Sequence, residues 1–249
     1  MSQPDDRILR RDTGALCTLT LNRPDKLNAL DEATFGELAA HVDDLERSGA
    51  IHCVVLRGAG RSFCAGNDLE DIAAGRRSDD PHFRGKTIER LARLPQPVVA
   101  AIQGHCYTGG LELALAADLL IATESARFAD THGKWGLTPL WGMSQRLPRR
   151  VGVSRAKELM FTSRTVGAPE ALAIGLVDGC VPEDRFDEEM EGLVSHILAN
   201  SSHSNRANKH LLGATEGMPL EEGLRFEREK SPGMAPDAKE RIARFTKRR

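Results

Sequence analysis

Aromatic side chains are scarce in this sequence. Its 249 residues include eight Phe, two Trp and one Tyr, which together make up 4% of the chain. Hydrophobic residues still account for 40% and charged residues for 28%, a balance typical of globular proteins and not of disordered or fibrous ones. We therefore expect a folded protein whose core consists mainly of aliphatic and alanine side chains.

An excess of charge of either sign is missing as well. The chain has 34 Lys and Arg against 36 Asp and Glu, which gives a formal net charge of −2. Dedicated nucleic-acid binders depend on a clustered positive field. The balance of charges therefore argues against nucleic acid as a partner.

Long apolar runs are not found either. The most apolar stretch, residues 111–122, is interrupted by Glu112 and Asp118. It falls short of the roughly 20 apolar residues that a membrane span needs. The N-terminal segment carries charges where a secretion signal would need an apolar run. We expect a protein that is neither embedded in a membrane nor secreted.

Paired cysteines are missing too. The five cysteines are widely spaced, and none forms a Cys-x-x-Cys pair. This pattern predicts a reduced, cytoplasmic protein with neither a disulfide framework nor a zinc knuckle. The eight histidines are scattered, so we expect no metal site.

What the sequence does contain is an alternation of strands, glycine-bearing loops and helices. Residues 51–57 and 98–103 have the apolar composition of buried strands. Each runs into a glycine-bearing loop, residues 58–66 and 104–110, and each loop leads into a helical pattern. This alternation predicts an α/β fold.

The last part of the chain is helical in pattern. Phe186, Met190, Val194 and Ile197 recur at helical spacing and predict one buried face. The coarse architecture is therefore an α/β core followed by a C-terminal helical appendage.

The two glycine-bearing loops suggest a binding function. Glycine lets the backbone approach a ligand closely, and free N–H groups at the start of the following helix point toward that ligand. Two such loops facing each other could form an oxyanion hole. The spacing of the glycines fits simple tight turns equally well.

Glu112 stands out because it lies two residues after Gly110 in an otherwise apolar helix start. It could simply complement the helix dipole. If the helix packs into the core, an ionised carboxylate there would be costly without partners. A buried carboxyl beside an oxyanion hole is instead a candidate general acid or base.

Five segments of the sequence resemble a known family. Residues 58–72 (GAGRSFCAGNDLEDI) and 95–123 look like the two signature segments of the enoyl-CoA hydratase/isomerase, or crotonase, superfamily. Residues 22–30, 138–152 and 171–184 match it as well. The resemblance covers essentially the whole chain, and several ordered segments together are far more specific than any one of them.

The resemblance implies a fold and an assembly. The expected architecture is a crotonase-like spiral of repeated strand-strand-helix units, with residues 1–190 holding the acyl-CoA site. Residues 191–249 would form a C-terminal helical trimerisation region, giving a homotrimer or a dimer of trimers. No cofactor or metal is implied, because CoA arrives as part of the substrate.

The resemblance also implies roles for particular residues. The backbone N–H groups of Asn67 and Gly109 would form the oxyanion hole for the thioester oxygen, and Glu112 matches the first catalytic glutamate. The CoA arm would lie along Lys26, Leu27, Asn28, Ala65, Gly66, Asp68 and Leu69. Lys247 and Arg248 are candidates for contact with the CoA phosphates, or are simply solvated. The polar residues 75–86 are a candidate mobile loop that orders on CoA binding.

The sequence departs from the family at the second catalytic glutamate, where an ungapped alignment places His132. Imidazole has an ordinary pKa near 6.5, so it could orient water as a base or donate a proton to the α carbon. Alternatively, His132 is a packed or capping residue, and Glu112 acts alone.

The few rings narrow the candidates for the acyl pocket. Trp135, Trp141 and Tyr107 fall near the expected acyl chain, although core packing is the other role open to them. The predicted reaction is reversible hydration of a 2-enoyl-CoA to a 3-hydroxyacyl-CoA. The alternatives are isomerisation, decarboxylation, dehalogenation or thioester hydrolysis, and a non-catalytic RNA-binding relative.

Overall fold

The computed structural model describes residues 6–76 and 78–247. The strands are β1 Ile8–Thr13, β2 Leu16–Leu21, β3 Cys53–Gly58, β4 Val98–Ile102, β5 His105–Tyr107, β6 Leu119–Thr123, β7 Arg127–Ala129, β8 Val166–Gly167 and β9 Gly179–Val181. The helices are α1 Glu32–Arg47, α2 Leu69–Ala73, α3 Phe83–Ala92, α4 Gly109–Ala114, α5 Met143–Val151, α6 Val153–Thr162, α7 Ala168–Ala173, α8 Phe186–Ala199, α9 Ser202–Thr215, α10 Leu220–Lys230 and α11 Ala238–Thr246. Short 3-10 helices cover Pro24–Lys26, His132–Trp135 and Glu183–Arg185. Among these described residues, no helix has both the length and the apolarity that crossing a membrane requires.

The main sheet contains β1, β2, β3, β4, β6 and β9, in that order. β1 is antiparallel to β2, and the other neighbouring strands are parallel. Every residue of β4 is buried, as expected for a parallel strand that is covered on both faces.

Alternate residues of the central strands point into different hydrophobic clusters, because side chains of a strand alternate between its faces. Val98 of β4 belongs to the larger cluster, which includes buried side chains of α1 and α4. Val99 belongs to a smaller cluster with Phe186 and Met190 of α8. The predicted buried face of this helix is confirmed, and α8 covers one face of the main sheet.

The chain winds between the main sheet and a smaller one. In the smaller sheet, β5 and β7 are parallel, and β8 pairs with β7 in the antiparallel direction. β4 is followed by β5 and α4, and β6 is followed by β7 and the 3-10 helix His132–Trp135. These two turns of the chain have the order strand, strand, helix, and the predicted crotonase-like α/β spiral is confirmed.

The first glycine-bearing loop packs directly against the start of α4. An isolated bridge pairs Cys64 of this loop with Cys106 of β5. At Gly110, a Cβ atom would lie 2.3 Å from the backbone oxygen of Cys64, a distance that no side chain tolerates. Glycine at position 110 therefore allows the loop and the helix to touch.

Two features of the fold differ from the sequence-based expectations. β1 was not predicted, because its sequence ILRRDT carries charges that an edge strand exposes to solvent. Helix α3 begins at Phe83, so the last residues of the predicted loop 75–86 are helical. Thr87, Ile88 and Leu91 are buried on this helix.

Polar contacts connect α9, the first of the last three helices, to the core. Lys209 of α9 donates from Nζ to Asp118 Oδ2 at 2.7 Å and to the Gln96 carbonyl at 3.0 Å. Arg206 donates to the carbonyls of Ser48 and Ile51. Helices α9, α10 and α11 have no buried residue among those described. They expose large apolar side chains, including Leu212, Leu220, Leu224, Ile242 and Phe245.

We predict that Gly110→Ala lowers the free energy of unfolding by roughly 1–3 kcal/mol, because the added methyl group overpacks the contact with Cys64. Gly36→Ala is the matched control, since position 36 is exposed on α1 and a Cβ there meets nothing within 4 Å. The control should gain about 0.5–1 kcal/mol from helix propensity. Urea unfolding of both variants measures the difference. Equal stabilities would contradict the close packing described above.

Candidate active site

The two loops bring two backbone N–H groups together at one end of a cavity. A Cβ on Gly109 would lie 3.2 Å from the Asn67 nitrogen, and a Cβ on Gly66 would lie 3.4 Å from the Gly109 nitrogen. Within the part of the chain that the structure describes, neither N–H donates to a protein acceptor. Paired, preorganised donors of this kind stabilise an oxygen that acquires negative charge.

Thr108 sets the direction of the Gly109 N–H. Its φ of 49° lies in the left-handed region, which costs a residue with a branched side chain about 1–3 kcal/mol. Three hydrogen bonds hold it there. Its N–H donates to the Ala129 carbonyl at 2.8 Å, its hydroxyl lies 2.5 Å from that of Thr131, and the Thr131 N–H donates to Thr108 Oγ1 at 3.1 Å.

Glu112 lies on α4 with 1% of its surface exposed. Its Oε1 accepts hydrogen bonds from the backbone N–H groups of Trp141 at 2.9 Å and Met143 at 3.1 Å. Burial raises the pKa of Glu112, while these N–H groups and His132 oppose the shift. Its Oε2 lies 3.7 Å from His132 Nε2.

His132 is buried at the start of its 3-10 helix, between two carboxylates. Asp130 Oδ1 lies 2.6 Å from His132 Nδ1, on the side of the ring away from Glu112. Burial opposes the charged ring, but the hydrogen bond and charge of Asp130, together with Glu112, outweigh it and raise the pKa of His132. The 3.7 Å between Glu112 Oε2 and His132 Nε2 is too long for a hydrogen bond, so both atoms remain able to bind a third group.

The cavity has a volume of about 550 Å³, and its lining includes residues of both glycine-bearing loops, together with Glu112 and His132. Trp141, Trp135 and Tyr107 all line it. The Trp141 ring packs edge-on against Phe35, with 4.9 Å between ring centroids, and a Cβ on Gly109 would lie 2.5 Å from its Cζ3 atom. Trp135 is more than half exposed.

The residues expected along the CoA arm differ in their surroundings. Ala65 and Leu69 line the cavity, and Gly66 lies between the two loops with a φ of 111°. Lys26 and Asp68 make ion pairs, with Glu70 at 2.7 Å and with Arg23 at 2.9 Å respectively.

Leu27 and Asn28 support the first loop. The Leu27 carbonyl accepts from the Ala65 N–H at 2.9 Å, and the buried Asn28 amide donates to the Ser62 carbonyl at 2.7 Å. Neither residue is among the described ones that line the cavity, and the same holds for Lys26. Arg248 lies outside the residues that the structure describes, while Lys247 is exposed after α11.

Two residues of the site were not singled out from the sequence. Arg84 donates from Nη1 to Asn67 Oδ1 at 2.9 Å and pairs with Glu32 at 2.8 Å. It therefore connects α3 to the segment that follows the first glycine-bearing loop. It lies in the segment predicted as a mobile loop, where nothing in the sequence distinguishes it from the neighbouring charges. Asp130 is the other; its position two residues before His132 was the available signal.

Comparisons with known proteins point to one family. The family profile described as enoyl-CoA hydratase/isomerase matches residues 11–249. The chain is 32% identical to a short-chain-enoyl-CoA hydratase of Clostridium acetobutylicum, covering 90% of this chain and 87% of that protein. It is also 32% identical to a 1,2-epoxyphenylacetyl-CoA isomerase of Escherichia coli, covering 97% and 96% respectively.

Solved structures of similar proteins share the fold of this chain. An enoyl-CoA hydratase from Bacillus anthracis superimposes with a TM-score of 0.90 at 33% identity, covering 98% of this chain and 97% of that one. The fold is that of a crotonase-type protein. The chain belongs to the enoyl-CoA hydratase/isomerase family, and this membership implies an acyl-CoA substrate.

We predict that Thr131→Val lowers the free energy of unfolding by about 1 kcal/mol, because it removes the hydroxyl partner of Thr108. Thr131→Ser keeps that hydroxyl and should retain most of the stability. Thr138→Val, an exposed position on the cavity wall, should change stability by less than about 0.5 kcal/mol. Urea unfolding of the three variants is the measurement. A serine variant as unstable as the valine variant would contradict the role of the hydroxyl pair.

Proposed function

We propose that the protein catalyses the reversible hydration of a 2-enoyl-CoA to a 3-hydroxyacyl-CoA. One observation carries this proposal: Glu112 and His132 face each other across 3.7 Å in the cavity that also holds the N–H groups of Asn67 and Gly109. A hydration needs an acid, a base and a site for enolate charge, and all three are present in this cavity.

The oxyanion hole acts on the thioester carbonyl. In the proposed complex, this oxygen accepts hydrogen bonds from the backbone N–H groups of Asn67 and Gly109. When water adds to the β carbon, negative charge moves onto the oxygen, where the two donors stabilise it. One such donor is typically worth about 3 kcal/mol in the transition state, so the pair supplies a large part of the catalysis.

Glu112 and His132 move the protons. A water molecule at hydrogen-bond distance from both Glu112 Oε2 and His132 Nε2 fits the separation of these atoms. Ionised Glu112 takes a proton from the water as its oxygen bonds to the β carbon, and protonated His132 gives a proton to the α carbon. Transfer of the proton from Glu112 to His132 restores the starting state, and the net change is the addition of one water molecule.

The binding of the rest of the substrate is assigned from the family resemblance. We assign the acyl group to the wall formed by Tyr107, Trp135 and Trp141, and the CoA arm to the two segments from Lys26 to Asn28 and from Ala65 to Leu69. The direct support is that the three rings, Ala65 and Leu69 line the cavity.

Assembly and compartment belong to the same proposal. The exposed apolar side chains of α9, α10 and α11 support a homotrimer, or a dimer of trimers, formed through residues 191–249. All five cysteines have free thiols, which agrees with a reduced cytoplasmic protein.

Isomerisation of the enoyl double bond is the second candidate. It is supported by the matching family profile, whose description names an isomerase beside the hydratase. The E. coli relative is also named an isomerase, of 1,2-epoxyphenylacetyl-CoA, and is as similar to this chain as the Clostridium hydratase. Incubation with a panel of enoyl-CoA thioesters separates the two reactions by product mass. Hydration adds one water and isomerisation leaves the mass unchanged, so absence of any 3-hydroxyacyl-CoA would reject the first proposal.

We predict that Glu112→Gln lowers kcat for hydration at least about 100-fold, since the amide cannot accept the proton from water. Glu124→Gln, an exposed position in the turn after β6, is the control and should leave kcat unchanged. Steady-state hydration rates for both variants give the comparison. A glutamine variant with nearly full activity would remove Glu112 from the mechanism.

The pH dependence provides a further prediction. Burial raises the pKa of Glu112 above its ordinary value of 4.5. The proposed base must be ionised, so kcat/KM should fall as the pH is lowered through this raised pKa, with a midpoint above 4.5. Hydration rates measured across the acid range give that midpoint. An acid limb with its midpoint at or below the ordinary value would contradict the proposed role.

A further inference from the structure

Asp130 directs its side chain at His132. It follows β7 directly and has 2% of its surface exposed. An ionised carboxylate at this depth is costly unless a charged or hydrogen-bonding partner compensates it. Its Oδ1 atom accepts a hydrogen bond from the His132 backbone N–H at 3.1 Å and lies 2.6 Å from the ring Nδ1.

We propose that Asp130 is a positioning residue for the hydration proposed above. Its carboxylate keeps the proton of His132 on Nδ1, and so leaves Nε2 as the nitrogen that gains and loses a proton, facing Glu112 and the cavity.

The tautomer follows from the chemistry of the pair. An ionised carboxylate can only accept hydrogen bonds, so a 2.6 Å contact with Asp130 Oδ1 requires a proton on Nδ1 of the ring. A neutral imidazole carries one proton, and Nε2 is then unprotonated. In the imidazolium form, Nε2 carries the proton that the α carbon needs. The nitrogen that titrates is therefore the one that lies 3.7 Å from Glu112 Oε2.

The charge of Asp130 explains how histidine can occupy this position. An imidazole with an ordinary pKa near 6.5 is mostly neutral at pH 7, and burial would make the charged form still rarer. The carboxylate on the other side of the ring favours the imidazolium, and with Glu112 it raises the pKa of His132 against burial. The ring can then act as an acid near neutral pH.

Other charged groups near the ring do not replace Asp130. Lys134, on the same 3-10 helix, is exposed. That helix packs against α6, where Lys157 is exposed and Arg155 pairs with Glu158 at 2.5 Å. Arg146 of α5 donates to the Trp141 carbonyl at 2.7 Å. The ring of His132 thus lies between two carboxylates, Asp130 and Glu112.

The first test measures the ring itself and needs no activity. The full-length protein, labelled with ¹⁵N and ¹³C in histidine, is titrated by NMR, and the His132 signals are identified by their loss in His132→Gln. We expect Nδ1 to stay protonated across the titration and Nε2 to titrate with a pKa above 6.5. A neutral ring protonated on Nε2 would overturn the proposal, and this result does not depend on any Asp130 variant folding.

The second test uses Asp130→Asn, which keeps the shape of the side chain and removes its charge. We expect the pKa of His132 to fall by about one pH unit, which is a tenfold loss of proton affinity. The alkaline limb of kcat/KM for hydration should move to lower pH by the same amount. At pH 7 kcat should fall by up to about tenfold, the largest loss of imidazolium that a shift of one pH unit allows, while KM changes less than threefold.

Asp178→Asn is the matched control for a merely structural effect. Asp178 accepts from the Leu120 N–H at 2.7 Å and pairs with Arg150, away from the cavity lining. This variant should lose stability without moving the His132 pKa or the alkaline limb. An Asp130→Asn enzyme whose His132 pKa and alkaline limb match those of the wild type would overturn the proposal.

The two tests separate this proposal from the proposed function. A shifted His132 pKa without any hydration in the wild type would uphold the Asp130–His132 coupling and reject hydration as the reaction. Hydration with an unshifted ring would uphold the reaction and reject the role of Asp130.

Discussion

The contact between the start of α4 and the loop that follows β3 determines the geometry of the site. Gly110 lies against the main chain of Cys64 with no room for a Cβ, and this brings the Asn67 and Gly109 N–H groups to one point. The Trp141 ring packs on the other side of Gly109. Because Glu112 comes two residues after Gly110 on the same helix, the position of its carboxylate follows from the same packing. The two N–H groups and the Glu112 carboxylate are therefore positioned by one packing contact.

Much of the fold is readable in the sequence because its signals are local. The buried strands β3 and β4 are apolar runs, and a glycine-bearing loop follows each of them. Glu112 stands out as an acid in an apolar helix start, and His132 lies where the family pattern leads one to expect a glutamate. These features depend on composition and order along the chain, which the sequence shows directly.

The remaining features depend on contacts between distant parts of the chain. Arg84 matters because it reaches Asn67, which lies 17 residues earlier, and a charged residue in a polar segment gives no sign of this. The left-handed backbone of Thr108 is held by Thr131 and Ala129, which belong to the next turn of the spiral. β1 carries charges that hide its pairing with β2. In each case tertiary contacts determine a role that local pattern does not encode.

Three ionisable side chains of the site lie in a buried row, with an imidazole between two carboxylates. Asp130, His132 and Glu112 follow one another as carboxylate, imidazole and carboxylate, at 2.6 Å and 3.7 Å. Each carboxylate also accepts main-chain N–H bonds, so neither is left as an uncompensated charge. Such an arrangement tolerates burial that an isolated acid would not, because each ionised group has an opposite or hydrogen-bonding neighbour.

The donors that hold Glu112 are main-chain groups, and this has a consequence for how the protein can evolve. Only a proline at position 141 or 143 would remove an N–H from the carboxylate; any other residue there still supplies it. The Trp141 side chain, in contrast, forms part of the cavity wall. The same residue thus contributes an invariant backbone donor and a replaceable side chain. The shape of this wall can change by substitution while the hydrogen bonds that hold the carboxylate are inherited unchanged.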